Sequence, residues 1–145
     1  MLSQPRVTHS EVIPAPVEDV WDLLRRFDTI DDWHPGITDC RIEGEQGPDQ
    51  VGAVRNFRAG DRTLREQLVA HSDVERFYQY TILQGGGAKE DYLSDLRAIP
   101  ITESNETLVL WTGDFDAPAA EMADEKEGLS AVYTGGLAGI RARFE

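Results

Sequence analysis

Apolar residues in the last part of the chain recur with the period of an α-helix. Between about Asp116 and Phe144 they return every three or four positions and form one stripe, made of Met122, Leu129, Val132, Tyr133, Gly136, Leu137, Ile140 and Phe144. The pattern predicts one long helix, with Asp114 or Asp116 as its N-cap. Because such a helix cannot bury a full stripe by itself, the preceding segments must wrap around it.

The preceding segments alternate between apolar and polar residues, with one interruption near the start. Helical spacing predicts two short helices at residues 17–27 and 28–34. Period-two alternation and turn residues predict strands at residues 7–13, 38–45, 51–59, 62–72, 76–83, 92–101 and 107–115. Consecutive strands joined by short turns indicate an antiparallel sheet with its helices on one face, which is an α+β fold.

Two turns predict which strand residues lie opposite each other. A tight turn at Gly60-Asp61 places Arg55 opposite Glu66, on the more apolar face of the sheet. A turn centred on Ser104-Asn105 places Ala98 opposite Trp111. A charged pair on an inward face costs stability unless it is paired, so it is either a structural ion pair or part of a site.

The composition narrows the classes of partner. The chain has 145 residues and a formal net charge of −13, which predicts one domain at residues 1–145 and argues against a nucleic-acid partner. No apolar run is long enough to span a membrane, and the single cysteine, Cys40, predicts a reducing cytoplasm. Three scattered histidines without cysteine partners predict no metal site, and no cofactor motif is present.

Local motifs spread over nearly the whole chain resemble those of one superfamily. They are Ile13-Pro14-Ala15-Pro16, Val20-Trp21, Trp33-His34-Pro35-Gly36, Val51-Gly52-Ala53-Val54-Arg55, Arg65-Glu66-Gln67-Leu68, Tyr92, Trp111 and Tyr133 to Leu137. In this order they resemble the START-like or Bet v 1-like superfamily, also called the SRPBCC or polyketide cyclase/dehydrase group. The resemblance implies a helix-grip fold, in which a curved seven-stranded sheet wraps a long C-terminal helix around an apolar cavity.

The resemblance is strongest to a branch that includes plant lachrymatory-factor synthase, the plant abscisic-acid receptors and many bacterial proteins. It implies that Arg55, Glu66 and Tyr92 are the catalytic residues if the chain is an enzyme. It also places His34 where the receptors bind a ligand carboxylate, although a helix cap is the alternative for this residue. The mobile gate loop of the receptors is reduced here to Ala59-Gly60-Asp61, so a hormone receptor is not predicted.

Two classes of function remain open from the sequence. The first is a binding or carrier protein for a small hydrophobic molecule with one polar end, and the second is a cofactor-free cyclase, dehydratase or isomerase. In the enzyme, Glu66 would be the acid/base and Arg55 would stabilise an oxyanion. The expected ligand-binding residues share the inward faces and are His34, Phe57, Tyr80, Ile82, Ser94, Leu96, Trp111, Tyr133 and Leu137.

The helical glycines leave a further choice open. Gly136 lies on the apolar stripe of the predicted helix, where glycine costs about 1 kcal/mol relative to alanine. It either permits close packing or leaves space for the cavity, and the second alternative predicts that Gly136→Leu fills the cavity.

Overall fold

The computed structural model describes residues 1–145 as a seven-stranded sheet and three helices. In chain order these are β1 (Val7–Ile13), α1 (Val17–Leu24), α2 (Ile30–Trp33), β2 (Thr38–Ile42), β3 (Val54–Ala59), β4 (Arg62–Ser72), β5 (Phe77–Gln84), β6 (Glu90–Ile101), β7 (Glu106–Asp116) and α3 (Met122–Ala142). All neighbouring strands are antiparallel, in the order β1-β7-β6-β5-β4-β3-β2. The predicted helix-grip α+β fold is confirmed, and the short helices are a few residues shorter than predicted.

The long helix α3 lies against the inner face of the sheet and buries the predicted stripe. Leu129, Tyr133, Leu137 and Ile140 are each at most 5% exposed. Val132 is an exception, since it is 38% exposed.

The predicted start of α3 is wrong. Asp114 and Asp116 belong to β7, where backbone pairing continues past the point at which the sequence pattern changes. The helix begins at Met122, and the Pro118 carbonyl accepts hydrogen bonds from the backbone N–H groups of Glu121 and Met122.

The two predicted strand registers have different outcomes. Arg55 lies opposite Glu66 as predicted. In the β6–β7 hairpin the predicted register is wrong by two residues, because Trp111 lies opposite Leu96 and not opposite Ala98. The turn there uses four residues, 102–105, instead of two. A slip of two residues keeps every side chain on its predicted face, since side chains alternate with a period of two.

Gly136 permits close packing, and the alternative that it leaves cavity space is wrong. A Cβ atom at this position would lie 2.6 Å from Cζ3 of Trp111 and 2.7 Å from Cδ2 of His34. Gly139 serves the same purpose one turn later, where an added Cβ atom would collide with the Trp33 carbonyl oxygen. The segment from Trp33 to Pro35 therefore sits directly on the backbone of α3.

None of the three helices combines the length and the apolar composition that a membrane crossing requires.

Candidate functional site

A cavity of about 440 Å³ lies between the sheet and α3. Of its 22 lining residues, 13 are hydrophobic, so the wall is mainly apolar with a few polar groups. Seven of the expected ligand-binding or catalytic residues besides Glu66 line it, namely His34, Phe57, Tyr80, Ile82, Tyr92, Trp111 and Tyr133. Its volume falls within the range of ordinary ligand sites, which is about 300–1,000 Å³.

Arg55 and Glu66 form a buried ion pair, and of the two only Glu66 lies on the cavity wall. The Arg55 guanidinium donates from Nη2 (2.7 Å) and Nε (2.9 Å), and both bonds end on Oε1 of Glu66. No protein group donates a hydrogen bond to the other oxygen, Oε2. The glutamate therefore keeps one acceptor oxygen for whatever occupies the cavity.

Arg55 lies behind Glu66, away from the cavity wall. Its side chain is fully buried, and its remaining donor Nη1 reaches the Phe27 carbonyl oxygen (3.2 Å) and the Tyr78 hydroxyl (3.4 Å). Its Cζ atom lies 4.0 Å from the ring centroid of Phe27 and 4.7 Å from that of Tyr80, within cation–π range. The guanidinium is thus saturated by protein groups.

Burial raises the pKa of Glu66 above its ordinary value, while the Arg55 charge limits that rise. This direction differs from the simple expectation that a neighbouring arginine keeps a carboxyl group ionised. The difference arises because desolvation of a fully enclosed carboxylate outweighs the attraction of one partner. A carboxyl group with a raised pKa and one free oxygen is suited to exchanging a proton with a bound molecule.

A chain of hydroxyl groups runs from the cavity wall into the core between β6 and α3. The Tyr92 and Tyr133 hydroxyls are 2.5 Å apart, and the Tyr133 hydroxyl is 2.8 Å from Oγ of Ser94. Oγ of Ser94 donates to the Thr112 carbonyl oxygen at 3.0 Å. The Trp111 indole N–H reaches both Ser94 Oγ (3.1 Å) and the Tyr80 hydroxyl (3.2 Å). The hydroxyls of Tyr80, Tyr92, Ser94 and Tyr133 each have a partner, as buried polar groups require, whereas Oγ1 of the buried Thr112 has none.

His34 lines the cavity but has no free nitrogen. Its Nδ1 accepts a hydrogen bond from the Gly36 backbone N–H (3.0 Å), and Nε2 lies 2.8 Å from the Val132 carbonyl oxygen. Because Nδ1 is an acceptor, Nε2 must carry the hydrogen that bonds to Val132. Burial lowers the pKa of His34, and the Arg55 charge adds to this effect. The ring is therefore a neutral link between the end of α2 and α3.

An ion pair joins the loop after β5 to the first turns of α3 at the edge of the cavity. Nζ of Lys89 lies 2.7 Å from Oε1 of Glu125, whose other oxygen accepts the Ala88 backbone N–H at 3.0 Å. Gly87 allows this approach, because a Cβ atom there would lie 2.8 Å from the same carboxylate. Lys89, Glu125 and the nearby Gly128 all line the cavity.

Four expected site residues do not line the cavity: Arg55, which was expected as a catalytic residue, and Ser94, Leu96 and Leu137, which were expected as ligand-binding residues. Arg55 is screened by Glu66, Ser94 is enclosed by Trp111, Thr112 and Tyr133, and Leu96 and Leu137 are packed in the core. Residue periodicity gives the face of a strand or helix but not the depth along it, and these four are too deep.

Of the 22 wall residues, eight were expected from the sequence and the other 14 were missed. Three of the missed residues had a weak signal in the sequence. Lys89 follows three consecutive glycines, Glu125 lies in the first turn of α3, and Gly128 is a glycine inside a helix. A Cβ atom on Gly128 would have no heavy atom within 4 Å, so this glycine, and not Gly136, leaves open space.

The structure brings together no group of three or more His, Cys, Asp or Glu side chains that could hold a metal ion.

Comparison with known proteins places the chain beside proteins of the same architecture. The model of one family, described as polyketide cyclase / dehydrase and lipid transport, matches residues 4–145. The abscisic acid receptor PYL7 of Arabidopsis thaliana is 30% identical over 119 residues, covering 78% of this chain and 55% of the receptor. The chain therefore spans little more than half the length of that receptor.

Solved bacterial structures match over almost the full length. A protein from Nitrosospira multiformis is 30% identical with a TM-score of 0.86, covering 96% of this chain and 95% of that one. The protein XoxI from Bacillus cereus is 30% identical with a TM-score of 0.85, covering 95% and 94%.

Proposed function

The chain belongs to the polyketide cyclase / dehydrase and lipid transport family, and from this premise we propose that it binds a small hydrophobic molecule with one polar end in the cavity between sheet and helix. One observation carries the proposal: Oε2 of Glu66 is a carboxyl oxygen without a protein donor on an otherwise mainly apolar wall. Stability alone would favour a nonpolar residue at this position, because burying a charged pair is costly.

In this proposal the polar residues have separate tasks. Glu66 contacts the polar end of the ligand, and Phe57, Ile82 and Trp111 cover its apolar part. Arg55 acts as a positioning residue, since its guanidinium holds Oε1 of Glu66 and leaves Oε2 free. His34 contributes ring surface only, because both of its nitrogens are bonded within the protein.

An acid–base enzyme is the second candidate, and the raised pKa of Glu66 favours it. Glu66 would move a proton in a cyclisation, dehydration or isomerisation, and Tyr92 would contact the reacting group. Arg55 would support the Glu66 carboxylate instead of contacting an oxyanion itself. Comparing Glu66→Gln with wild type separates the two functions, because the amide would abolish turnover of a bound molecule and not only weaken its binding.

A cytoplasmic location is part of the same proposal. Cys40 is the only cysteine, and burial raises the pKa of its thiol to about 12, so it is present as an unreactive thiol.

Native mass spectrometry of the protein, purified from cells that make it, tests ligand binding directly. We expect wild type and Gly128→Ala to retain a small molecule and to bind the dye anilinonaphthalene sulfonate. Gly128 lines the cavity at an exposed position with open space beside it, so we expect the Gly128→Leu side chain to obstruct the cavity entrance and to weaken both. Equal dye binding by a folded Gly128→Leu variant would contradict the proposal.

A further inference from the structure

The hydrogen atoms of the buried hydroxyl chain can be assigned from the contacts alone. The three shortest contacts join Tyr92 to Tyr133, Tyr133 to Ser94, and Ser94 to the Thr112 carbonyl oxygen. Three hydroxyl groups supply three hydrogens for these three bonds. A carbonyl oxygen donates none, so the three short contacts are all satisfied when Ser94 donates to Thr112, Tyr133 to Ser94, and Tyr92 to Tyr133. The Tyr133 hydroxyl also lies 3.4 Å from the Thr112 carbonyl oxygen. Whether Tyr133 donates to Ser94 or to Thr112, its one hydrogen is used there, and Tyr92 donates to Tyr133. The Tyr92 oxygen is therefore left with lone pairs only.

The Tyr80 hydroxyl, in contrast to that of Tyr92, keeps a hydrogen that is free to donate. Its oxygen accepts a hydrogen bond from the Trp111 indole at 3.2 Å, and no protein acceptor receives the hydrogen of its own hydroxyl. Burial raises the pKa of both Tyr80 and Tyr92, so each keeps its proton. Tyr80 thus offers a donor to the cavity, while Tyr92 offers an acceptor.

These groups share one region of the wall. The Tyr80 and Tyr92 ring centroids are 6.0 Å apart. Tyr80 and Glu66 face the cavity from β5 and β4, where Glu66 lies opposite Ile82 and Leu68 lies opposite Tyr80. Glu66 and Tyr80 are thus diagonal neighbours on one face of the sheet. Glu66, Tyr80 and Tyr92 together present one free donor and two free acceptor oxygens. Two cationic side chains also line the cavity: Lys89 is bonded to Glu125 and the Gly86 carbonyl oxygen, and Arg62 is exposed to solvent.

We propose that the polar end of the ligand is a neutral hydroxyl group, as in a phenol, alcohol or enol, and not a carboxylate. A hydroxyl group can accept a hydrogen bond from Tyr80 and donate one to Glu66 or Tyr92, so it pairs with the free donor and with a free acceptor at the same time. A carboxylate would place its lone pairs against those of the Tyr92 oxygen and of Oε2 of Glu66. An ammonium group cannot accept the hydrogen bond that Tyr80 offers. Its positive charge would also gain little from Glu66, because Arg55 already neutralises that carboxylate. This inference rests on the proposed function, since it concerns the same cavity.

A matched set of biphenyl compounds tests the inference by isothermal titration calorimetry. The set is para-phenylphenol, biphenyl, para-phenylbenzoate and para-phenylbenzylammonium, which share one apolar body and differ at one end. Two hydrogen bonds in a buried site should make the phenol bind on the order of tenfold tighter than biphenyl. The benzoate and the ammonium compound should bind no better than biphenyl.

Two conservative variants separate hydrogen bonding from shape. Tyr80→Phe removes the free donor, and the Trp111 indole keeps Ser94 as its acceptor. Tyr92→Phe removes the free acceptor, and Tyr133 still donates to Ser94. In both variants the advantage of the phenol over biphenyl should shrink several-fold, because the phenol loses more affinity than biphenyl does.

The outcomes distinguish this inference from the proposed function. Tightest binding by the benzoate or the ammonium compound overturns the hydroxyl assignment and leaves the ligand site standing. A phenol advantage unchanged in both variants also overturns it. Failure of all four compounds to bind overturns the ligand site and the hydroxyl assignment together.

Discussion

Arg55 carries its charge into the interior with only one carboxylate to balance it. Its side chain is fully buried, and the rings of Phe27, Phe57, Tyr78 and Tyr80 surround it with centroids 4.0–5.8 Å from Cζ. The aromatic faces and the Glu66 carboxylate offset part of the cost of removing the guanidinium from water. The two residues therefore behave as one unit in stability measurements.

Removing one partner of this pair should cost more than removing both. Glu66→Leu leaves Arg55 charged and unpaired, and we expect a loss of about 3–5 kcal/mol in the free energy of unfolding. Arg55→Met combined with Glu66→Leu should be closer to wild type than either single variant, although the Phe27 carbonyl loses its donor. Urea unfolding of the three variants measures this, and a double variant less stable than both singles would contradict it.

The two glycines on α3 should respond oppositely to alanine. At Gly136 the added methyl group meets Trp111 and His34, so we expect Gly136→Ala to destabilise the fold by about 1–3 kcal/mol. At Gly128 the methyl group meets nothing, and alanine should stabilise the helix by up to about 1 kcal/mol. Thermal unfolding of the two variants side by side checks this, and equal effects would show that helix propensity dominates at both sites.

At the scale of elements, His34 joins α2 to α3, and only its neutral form fits. A protonated ring would turn Nδ1 into a donor facing the Gly36 N–H. Since the pKa of His34 is lowered in the folded state, its stabilising contribution is complete above its unfolded pKa. That contribution is lost as the pH falls through the lowered value.

This link should make stability depend on pH through one residue. Between about pH 7.5 and about pH 5, wild type should lose stability relative to His34→Gln, which keeps a donor for Val132 but does not titrate. His9 and His71 are the same in both proteins, so their contributions cancel in the difference. A difference in unfolding free energy that stays constant over this range would be the contrary result.

The loop between β5 and β6 depends on Glu125 in a comparable way. In Glu125→Ala, the backbone N–H of Ala88 loses its acceptor and Lys89 loses its ion pair. We expect faster amide hydrogen exchange at residues 85–89, with little change elsewhere, because loops open locally without global unfolding. Glu127→Ala, at an exposed position on the same helix, is the matched control. Exchange that stays as slow as in the control would argue against this role of Glu125.

At the scale of the whole molecule, the sequence predicted the features that follow from residue periodicity. It did not predict features that depend on how far along a strand or helix a residue lies from the cavity. Alternation and one tight turn predicted the Arg55–Glu66 pairing, and helical spacing predicted the buried face of α3. The start of α3 and the four-residue turn after β6 depend on backbone pairing in three dimensions, which periodicity does not contain. The same limit explains why Leu96 and Leu137 were expected on the cavity wall, since both share the inner face with true wall residues.

The strand order has a consequence for the growing chain on the ribosome. β1 is paired only with β7, and the bond from Thr107 to the Ala15 carbonyl spans 92 positions. While synthesis proceeds from the N-terminus, β1 has no partner until almost the entire sheet has been made. Meanwhile each new hairpin from β3 onward can close on its predecessor at once. β1 is therefore the last strand to become paired. Until β7 has been made, the unpaired backbone groups of β1 are the site where self-association or chaperone binding would occur.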